Sequence, residues 1–229
     1  MFNEAPIKLA ANKNNDEILD LLLRGSNSNE IKEETFKDCK LLLHIKLPCS
    51  ITSIGRNAFE GCVSLFDIFI PATVTTISPY AFYKCTSLTE IKLPDSVSKI
   101  GERAFCSCSS LCRIIIPSSV TLIESYTFAE CKKLKEISIP SSVTSIGSFA
   151  FYNCFSLSKI SIPSSVTSIG DGCFYECSSL KKIEIESNSI SIGFCAFYGC
   201  KSLSKIPSSS KISNKLQTNL YSFGNIIFK

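Results

Sequence analysis

Thirteen cysteines are the residues of this chain with the clearest capacity for chemistry. Pairs of cysteine can form disulfides, and clusters of cysteine and histidine can hold zinc. The densest cluster consists of Cys106, Cys108 and Cys112. Because this spacing differs from the CxxC pairs of most zinc sites, the sequence disfavours a metal there.

Eight of the cysteines recur at intervals of 23 residues, each placed three residues after a phenylalanine: Cys39, Cys62, Cys85, Cys108, Cys131, Cys154, Cys177 and Cys200. If the repeats stack in parallel, successive side chains lie about 4.8 Å apart. That separation exceeds the ~3.5–4.5 Å between Cβ atoms in a disulfide. We therefore expect reduced, buried cysteines that pack as small hydrophobic side chains.

Other catalytic chemistry is poorly represented in the sequence. The single histidine, His44, falls on an outward strand position, and the abundant serines belong to a repeated SSV element. No nucleophile elbow, Walker loop or HExxH motif is present. We expect no catalytic residue, no cofactor, no metal and no enzymatic activity.

The elements that must position the cysteines are eight repeats of 23 residues without an insertion. The repeated phenylalanines are Phe36, Phe59, Phe82, Phe105, Phe128, Phe151, Phe174 and Phe197. A fixed period in the range of 20–50 residues is typical of a solenoid, in which each repeat buries its apolar face against its neighbours.

One repeat shows the expected path of the chain. Polar and apolar residues alternate from Glu90 to Leu93, which predicts a half-buried strand that Pro94 ends. A second, weaker strand is expected near Ile100, followed by a turn at Gly101. The segment from residue 102 to 108 should return as an irregular or 3₁₀ turn, since it is too short for a stable α-helix.

Glycine holds the turn position in five repeats: Gly55, Gly101, Gly147, Gly170 and Gly193. Glycine adopts positive φ without steric cost, so we expect positive φ at this position. Ser78 and Glu124 replace glycine in two repeats, so the requirement is not absolute.

The pattern LxxIxIPxSVTxIGxxAFxxC resembles the leucine-rich repeats of the BspA-like family over residues 31–207. These are adhesin-like proteins of anaerobic bacteria and parasitic protists. The resemblance implies a leucine-rich-repeat solenoid, a right-handed coil of eight 23-residue repeats with one continuous parallel β-sheet on one face. It also implies a non-enzymatic protein–protein interaction module, such as an adhesin or surface antigen that binds host or matrix proteins.

Segments outside the repeats are expected to cap the array. Residues 1–30 predict a short helical segment that resembles one ankyrin repeat, with Ile18, Leu21 and Leu22 as the apolar stripe of its second helix. It is interpreted as a cap over the first coil or as the remnant of a longer array. At the other end, Leu220, Phe223 and Ile226 continue the repeat pattern. Residues 208–229 are therefore interpreted as a degenerate C-terminal capping repeat.

Composition and charge limit the classes of partner and location. The net charge of +4 is too small to indicate nucleic-acid binding by itself. The sequence has no apparent signal peptide or membrane-spanning segment, which predicts a cytoplasmic chain without membrane insertion. The resemblance instead points to the cell surface, so an intracellular leucine-rich-repeat scaffold stays open as the alternative. A thiol-rich metal or redox protein is a third interpretation.

Binding to a protein partner is expected along the strand face, where solenoids commonly bind. The candidate residues point outward from the strands: His44, Asp67, Phe69, Glu90, Lys92, Arg113, Ile115, Glu136, Lys159, Lys182 and Lys205. Lys159, Lys182 and Lys205 fall in adjacent coils, where their like charges repel one another. The sequence predicts either that an acidic partner relieves this repulsion or that the lysines form a plain solvated face. A second candidate is the row Tyr152, Tyr175 and Tyr198, which either binds a partner or only covers the edge of the coil.

Overall fold

The computed structural model describes residues 4–14, 16–25, 28–187, 189–206 and 227–228. Two helices, α1 (Glu4–Asn12) and α2 (Asp16–Arg24), precede a stack of short strands. In chain order the strands are Glu30–Ile31 (β1), His44–Lys46 (β2), Ser53–Ile54 (β3), Asp67–Phe69 (β4), Thr76–Ile77 (β5), Glu90–Ile91 (β6), Lys99–Ile100 (β7), Arg113–Ile114 (β8), Leu122–Ile123 (β9), Ser145–Ile146 (β10), Lys159–Ile162 (β11), Ser168–Ile169 (β12), Lys182–Ile185 (β13), Ser191–Ile192 (β14), Lys205–Ile206 (β15) and Ile227–Phe228 (β16).

Each coil of the repeat array contributes up to two strands, which form separate faces. The front strands follow the repeated leucine and include β2, β4, β6, β8, β11, β13 and β15, whereas the side strands are β1, β3, β5, β7, β9, β10, β12 and β14. Pairing is parallel, and from β1 to β14 residues 23 apart lie opposite each other, as His44 does to Asp67. The solenoid that the period predicts, and the leucine-rich-repeat coil that the family resemblance implies, are therefore confirmed.

The front strands do not form the one continuous sheet that was expected on this face. The side strands, which were expected to be weaker, form two four-stranded sheets, while the front strands pair only in twos. Proline shortly after most front strands removes a backbone donor and limits their length. Where Glu186 replaces proline, β13 pairs with β11 over four residues, and the Glu186 N–H donates to Ile162 O at 3.0 Å.

The core is organised around the eight repeated phenylalanines, which are 0–1% exposed. Their rings stack along the solenoid with centroids 4.9 Å apart for Phe36 and Phe59 and 5.8 Å apart for Phe105 and Phe128. Isoleucines of the strands and the repeated leucines that precede the front strands complete the same cluster. Consecutive coils therefore bury their apolar surface against one another, as the repeat predicts.

The return segment of each coil is a regular series of turns with i→i−3 hydrogen bonds, which agrees with the 3₁₀ alternative better than with an irregular turn. Alternate N–H groups donate to the next coil, as Tyr126 N does to Ser148 O at 3.0 Å and Phe128 N to Ala150 O at 2.9 Å. The intervening N–H groups bond within the coil, as Ala129 N does to Tyr126 O at 3.1 Å. Positive φ recurs on both sides of the core phenylalanine, at 57° for Tyr126 and 59° for Glu130.

The prediction that the repeated turn glycines have positive φ is wrong. Positive φ occurs in other glycines, such as Gly172, but not in the five turn glycines. A Cβ atom on Gly147 would lie 2.5 Å from the backbone nitrogen of Ser125, and one on Gly55 would lie 2.5 Å from Ile31 O. Close approach of the preceding coil therefore explains glycine at this position.

The helices cover the first coil, but α2 buries a different stripe from the one predicted. Ile18 and Leu21 are 46% and 70% exposed, whereas Leu19 and Leu23 are buried, with Leu22 packed beside them. Because α2 has five isoleucine or leucine residues among nine, its sequence allows overlapping stripes, and only the packing against α1 and the first coil selects between them.

Side-chain hydrogen bonds connect the helical segment to the first coil. Asn14 Nδ2 donates to Leu41 O at 2.8 Å, and Asn14 Oδ1 accepts from Leu43 N at 2.7 Å. At the opposite end β16 pairs with β15 in parallel, Lys205 lying opposite Ile227. The capping positions predicted at Leu220, Phe223 and Ile226 lie outside the described residues.

Candidate protein-binding face

The outward side chains of the front strands form the candidate face. Alternation along each strand buries the isoleucine and exposes its neighbours, as in β4, where Asp67 and Phe69 are exposed and Ile68 is buried. Since the coils stack in register, each outward position becomes a column that runs along the solenoid. This period-two pattern is the reason that the sequence could identify these residues.

A groove of about 530 Å³, here called the central groove, lies across the middle of this face. It brings together five of the predicted residues: Arg113, Ile115, Glu136, Lys159 and Lys182. The groove also contains Ser138, Ser161 and Glu184, which the prediction did not include. All three occupy the next outward position along the strand, and the alternation in the sequence identifies them as outward-facing.

Two glutamates neutralise the described part of the predicted lysine column. Lys159 and Lys182 lie opposite each other in β11 and β13. Lys159 Nζ lies 3.2 Å from Glu136 Oε2, and Lys182 Nζ lies 2.6 Å from Glu184 Oε1. The hydrogen bond from Lys182 lowers the pKa of Glu184. The like charges are therefore relieved within the chain itself.

Arg113 and Ile115 are the side chains of the central groove with the greatest capacity for a new contact. No described carboxylate lies within ion-pair distance of the Arg113 guanidinium, although Glu90 occupies the opposite position in β6. Ile115 is 61% exposed. An unpaired guanidinium beside an exposed aliphatic side chain can bind a carboxylate next to an apolar group.

A second groove of about 570 Å³, the N-terminal groove, contains His44, Asp67 and Phe69. Lys46 Nζ lies 5.6 Å from the centroid of the Phe69 ring. Leu19 and Arg24 of α2 form one side of this groove. The sequence did not place them there because the docking of α2 on the first coil could not be read from its pattern.

Of the predicted residues, three are not part of either groove. Glu90 and Lys92 occupy outward positions between the central and N-terminal grooves. Lys205 belongs to β15, but its side chain lies outside the described part of the structure. Among the described residues, the two grooves lie on either side of the coil that carries Glu90 and Lys92.

The ladder cysteines are buried, as the repeat predicts, and all thirteen cysteines are free thiols. Burial raises the pKa of Cys39 to about 11 and that of Cys200 to about 12. Among the described residues, no group of histidine, cysteine or carboxylate side chains is arranged to hold a metal ion. Cys112 is exposed, while Cys106 and Cys108 are buried.

Neither α1 nor α2, the only helices in the described parts of the chain, is long and apolar enough to cross a membrane.

The repeat array is similar to that of known leucine-rich repeat proteins. The profile of the family described as "BspA type Leucine rich repeat region (6 copies)" matches residues 14–121 and 99–227. No match is found among curated proteins. A crystal structure of the Treponema pallidum leucine-rich repeat protein TpLRR is 28% identical, with a TM-score of 0.56, over 86% of this chain and 79% of that one.

Two further solved structures are similar at lower TM-scores. A leucine-rich cell surface protein from Faecalibacterium prausnitzii is 26% identical with a TM-score of 0.44, over 86% of this chain and 62% of that one. The pneumococcal vaccine antigen PcpA is 20% identical with a TM-score of 0.49, over 87% of this chain and 71% of that one.

Proposed function

The chain belongs to the BspA type leucine-rich repeat family, and we propose that it is a non-enzymatic module that binds a protein partner along its front-strand face. The observation that carries this proposal is the central groove, because it gathers five outward side chains from successive coils into one surface. Such a surface is the usual binding site of a solenoid, where neighbouring repeats each supply a few contacts.

The chemistry of the groove favours a partner segment that carries a carboxylate beside an aliphatic side chain. Arg113 supplies a guanidinium without a described ion pair, and Ile115 supplies exposed apolar surface two residues later. Lys159 and Lys182 contribute less to the attraction, because Glu136 and Glu184 already pair with them. Recognition is therefore centred on β8 and not on the lysine column.

Peptide selection on the immobilised full chain tests this proposal. Selected peptides should contain an acidic residue next to an aliphatic residue, and they should bind the Arg113→Glu variant less tightly. The matched control is Lys133→Glu, which makes the same charge change at an exposed residue outside both grooves. Equal loss of binding in the two variants would show that the groove is not the site.

A finer assignment is that the module acts as an adhesin or surface antigen that binds host or matrix proteins. Its support is the membership of the BspA type family, whose members resemble adhesins. The alternative is an intracellular scaffold with the same binding face. Surface biotinylation of intact cells separates the two: an adhesin is labelled before lysis, whereas an intracellular scaffold is labelled only after lysis.

A further inference from the structure

One boundary between consecutive coils lacks backbone hydrogen bonds that the other boundaries have. Residues 98–115 stack there on residues 121–138, and this boundary is here called the Glu124 seam. On the side face of the seam β7 and β9 do not pair, so the described side strands fall into two sheets at this point. The equivalent strands before and after it pair in register, as β5 does with β7 and β9 with β10. From β1 to β14 the side ladder is therefore interrupted only at this seam.

Two N–H groups at the seam have no acceptor in the preceding coil. One coil later, the residue before the side strand donates across the boundary, with Thr144 N 2.9 Å from Thr121 O. The turn residue does the same, with Gly147 N 2.7 Å from Ile123 O. At the seam, by contrast, Thr121 N and Glu124 N donate to no described residue. The side face is therefore unbonded at both ends of its short strands.

The front face is unbonded along the same seam. β8 pairs with β6 in the preceding coil, whereas Glu136 in the following coil forms a bridge with Lys159 of β11. No backbone hydrogen bond between described residues joins β8 to the segment around Glu136. A gap in the front ladder also occurs between β4 and β6, but there the side strands β3 and β5 pair. The Glu124 seam differs because its front and side ladders are interrupted together.

Cavities lie over both unbonded stretches. On the front face, the central groove contains Arg113 and Ile115 on one side of the seam and Glu136 and Ser138 on the other. On the side face, a cavity of about 250 Å³ lies between β7 and β9, with Glu124 in its lining. The missing hydrogen bonds thus coincide with open space at the surface.

The return segments keep the seam closed on the third face. Arg103 N donates to Ser125 O at 3.1 Å, and Phe105 N donates to Thr127 O at 3.0 Å. The Arg103 guanidinium carbon also lies 4.1 Å from the ring centroid of Tyr126, which adds a cation–π contact across the same boundary. A rotation about the return segments can therefore separate the front and side faces while these bonds persist.

Core contacts are longest at this seam. The ring centroids of Phe105 and Phe128 are 5.8 Å apart, whereas the other neighbouring core phenylalanines are 4.9–5.6 Å apart. The Cys131 thiol lies 3.3 Å from Phe105 O, against 3.1 Å between the Cys154 thiol and Phe128 O. The two coils are therefore slightly farther apart than their neighbours in the core as well.

Glu124 is the turn residue that distinguishes this seam. Five coils have glycine at its position, where a Cβ atom would lie about 2.5 Å from the backbone of the preceding coil, as it would for Gly147. By the 23-residue repeat, the Glu124 side chain meets the backbone at Glu102, so two glutamates adjoin across the seam. Ser78 has a smaller, uncharged side chain at the same position, and its N–H still donates to Ile54 O at 2.9 Å. The length and charge of the Glu124 side chain therefore set this seam apart from the Ser78 coil.

We infer that the solenoid bends at the Glu124 seam, with the return segments as the hinge and with Glu124 keeping the other two faces unbonded. Local opening begins where few hydrogen bonds join neighbouring elements, and this seam has the fewest. Bending moves Arg113 and Ile115 relative to Glu136 and Ser138, and so it changes the width of the central groove. This consequence for binding rests on the proposed function of the groove, whereas the bending itself does not.

NMR relaxation dispersion on the full chain tests the inference, because it detects hinge motions on the microsecond-to-millisecond timescale. The amides of Thr121 and Glu124 on the side face and of Glu136 on the front face should show dispersion with one common exchange rate. The amide of Thr167, two coils beyond the seam, should show none, since its N–H donates to Thr144 O at 2.9 Å. No peptide is needed, so failure of this test is distinct from failure of the proposed function.

Glu124→Gly gives the seam the residue that five other coils have at this position. The N–H of residue 124 should then donate to Ile100 O, and the dispersion at Thr121 should fall by about two- to tenfold. The matched control is Ser78→Gly, which introduces glycine where the equivalent bond already exists, and it should leave the dispersion at the seam unchanged. Absence of dispersion at the seam, equal dispersion at Thr167, or equal effects of the two glycine variants would overturn the inference.

Discussion

The thiol of Cys154 donates a hydrogen bond to the backbone carbonyl oxygen of Phe128 in the preceding coil, with Sγ and the oxygen 3.1 Å apart. The same oxygen accepts the backbone N–H of Cys131 at 3.2 Å. Equivalent bonds connect Cys62 to Phe36 and Cys200 to Phe174. The ladder cysteines therefore join consecutive coils, which a purely hydrophobic side chain of the same size could not do.

Cys154→Ala should lower the free energy of unfolding by about 1–3 kcal/mol, because it removes both a buried contact and the inter-coil donor. Denaturation by guanidinium chloride measures the change. Cys112→Ala is the control, since Cys112 makes a similar bond to Thr89 O but is exposed. If Cys154→Ala lowers the free energy of unfolding no more than Cys112→Ala does, the ladder cysteines do not stabilise the contact between coils.

Stability should fall as the pH rises above about 9, because unfolded thiols lose their protons near the ordinary pKa of 9.0 while the buried thiols keep theirs. Each such thiol lowers the free energy of unfolding by about 1.4 kcal/mol per pH unit, until the pH passes its folded pKa. For Cys39 the decline covers the interval from 9.0 to about 11.

Denaturation midpoints measured from about pH 7 to about pH 10 check this dependence. Cys39→Ala should reduce the slope, since it removes one of the buried thiols. A midpoint that stays constant across this interval would show that the thiols are not buried in the native state.

Phe128→Ala should cost about 3–5 kcal/mol, since it removes a large, fully buried ring from the middle of the phenylalanine stack. Phe69→Ala provides the comparison, because Phe69 is 50% exposed on the front-strand face. Equilibrium unfolding of both variants gives the difference. A cost below about 1 kcal/mol for Phe128→Ala would mean that the ring does not belong to the core.

Gly172→Ala should destabilise the chain by about 1–3 kcal/mol, because Gly172 has a φ of 56° and its added Cβ would enter the ring of Phe149. Combining it with Phe149→Ala removes the clash but not the unfavourable φ. The double variant should therefore lose less stability than the sum of the two single variants. Strict additivity of the unfolding free energies would show that the two residues do not meet.

Much of the fold could be predicted because its causes are local and periodic. The 23-residue spacing from Phe36 to Phe197 determines which residues stack, and alternation within each front strand determines which ones point outward. The turn glycines were explained wrongly because their close contact involves the preceding coil, as for Gly147 and Ser125. A single repeat does not contain that neighbour.

Charge pairing was harder to predict than position. The sequence placed Lys159 and Lys182 in one column correctly, but pairing with Glu136 and Glu184 depends on side-chain directions across adjacent coils. Likewise, the sequence identified α2 as amphipathic without determining that Leu19 would be buried and Leu21 exposed. Both features depend on contacts between elements and not on spacing within one element.

Photo-crosslinking tests the proposed front-strand binding face most directly. A peptide selected on the full chain, labelled with benzophenone at its centre, is irradiated in the complex, and the attachment sites are located by mass spectrometry. The account predicts attachment in β8, β11 and β13, around Arg113 and Ile115, and its loss in the Arg113→Glu variant but not in Lys133→Glu. Attachment confined to the helices or the return segments, unchanged in both variants, would contradict it.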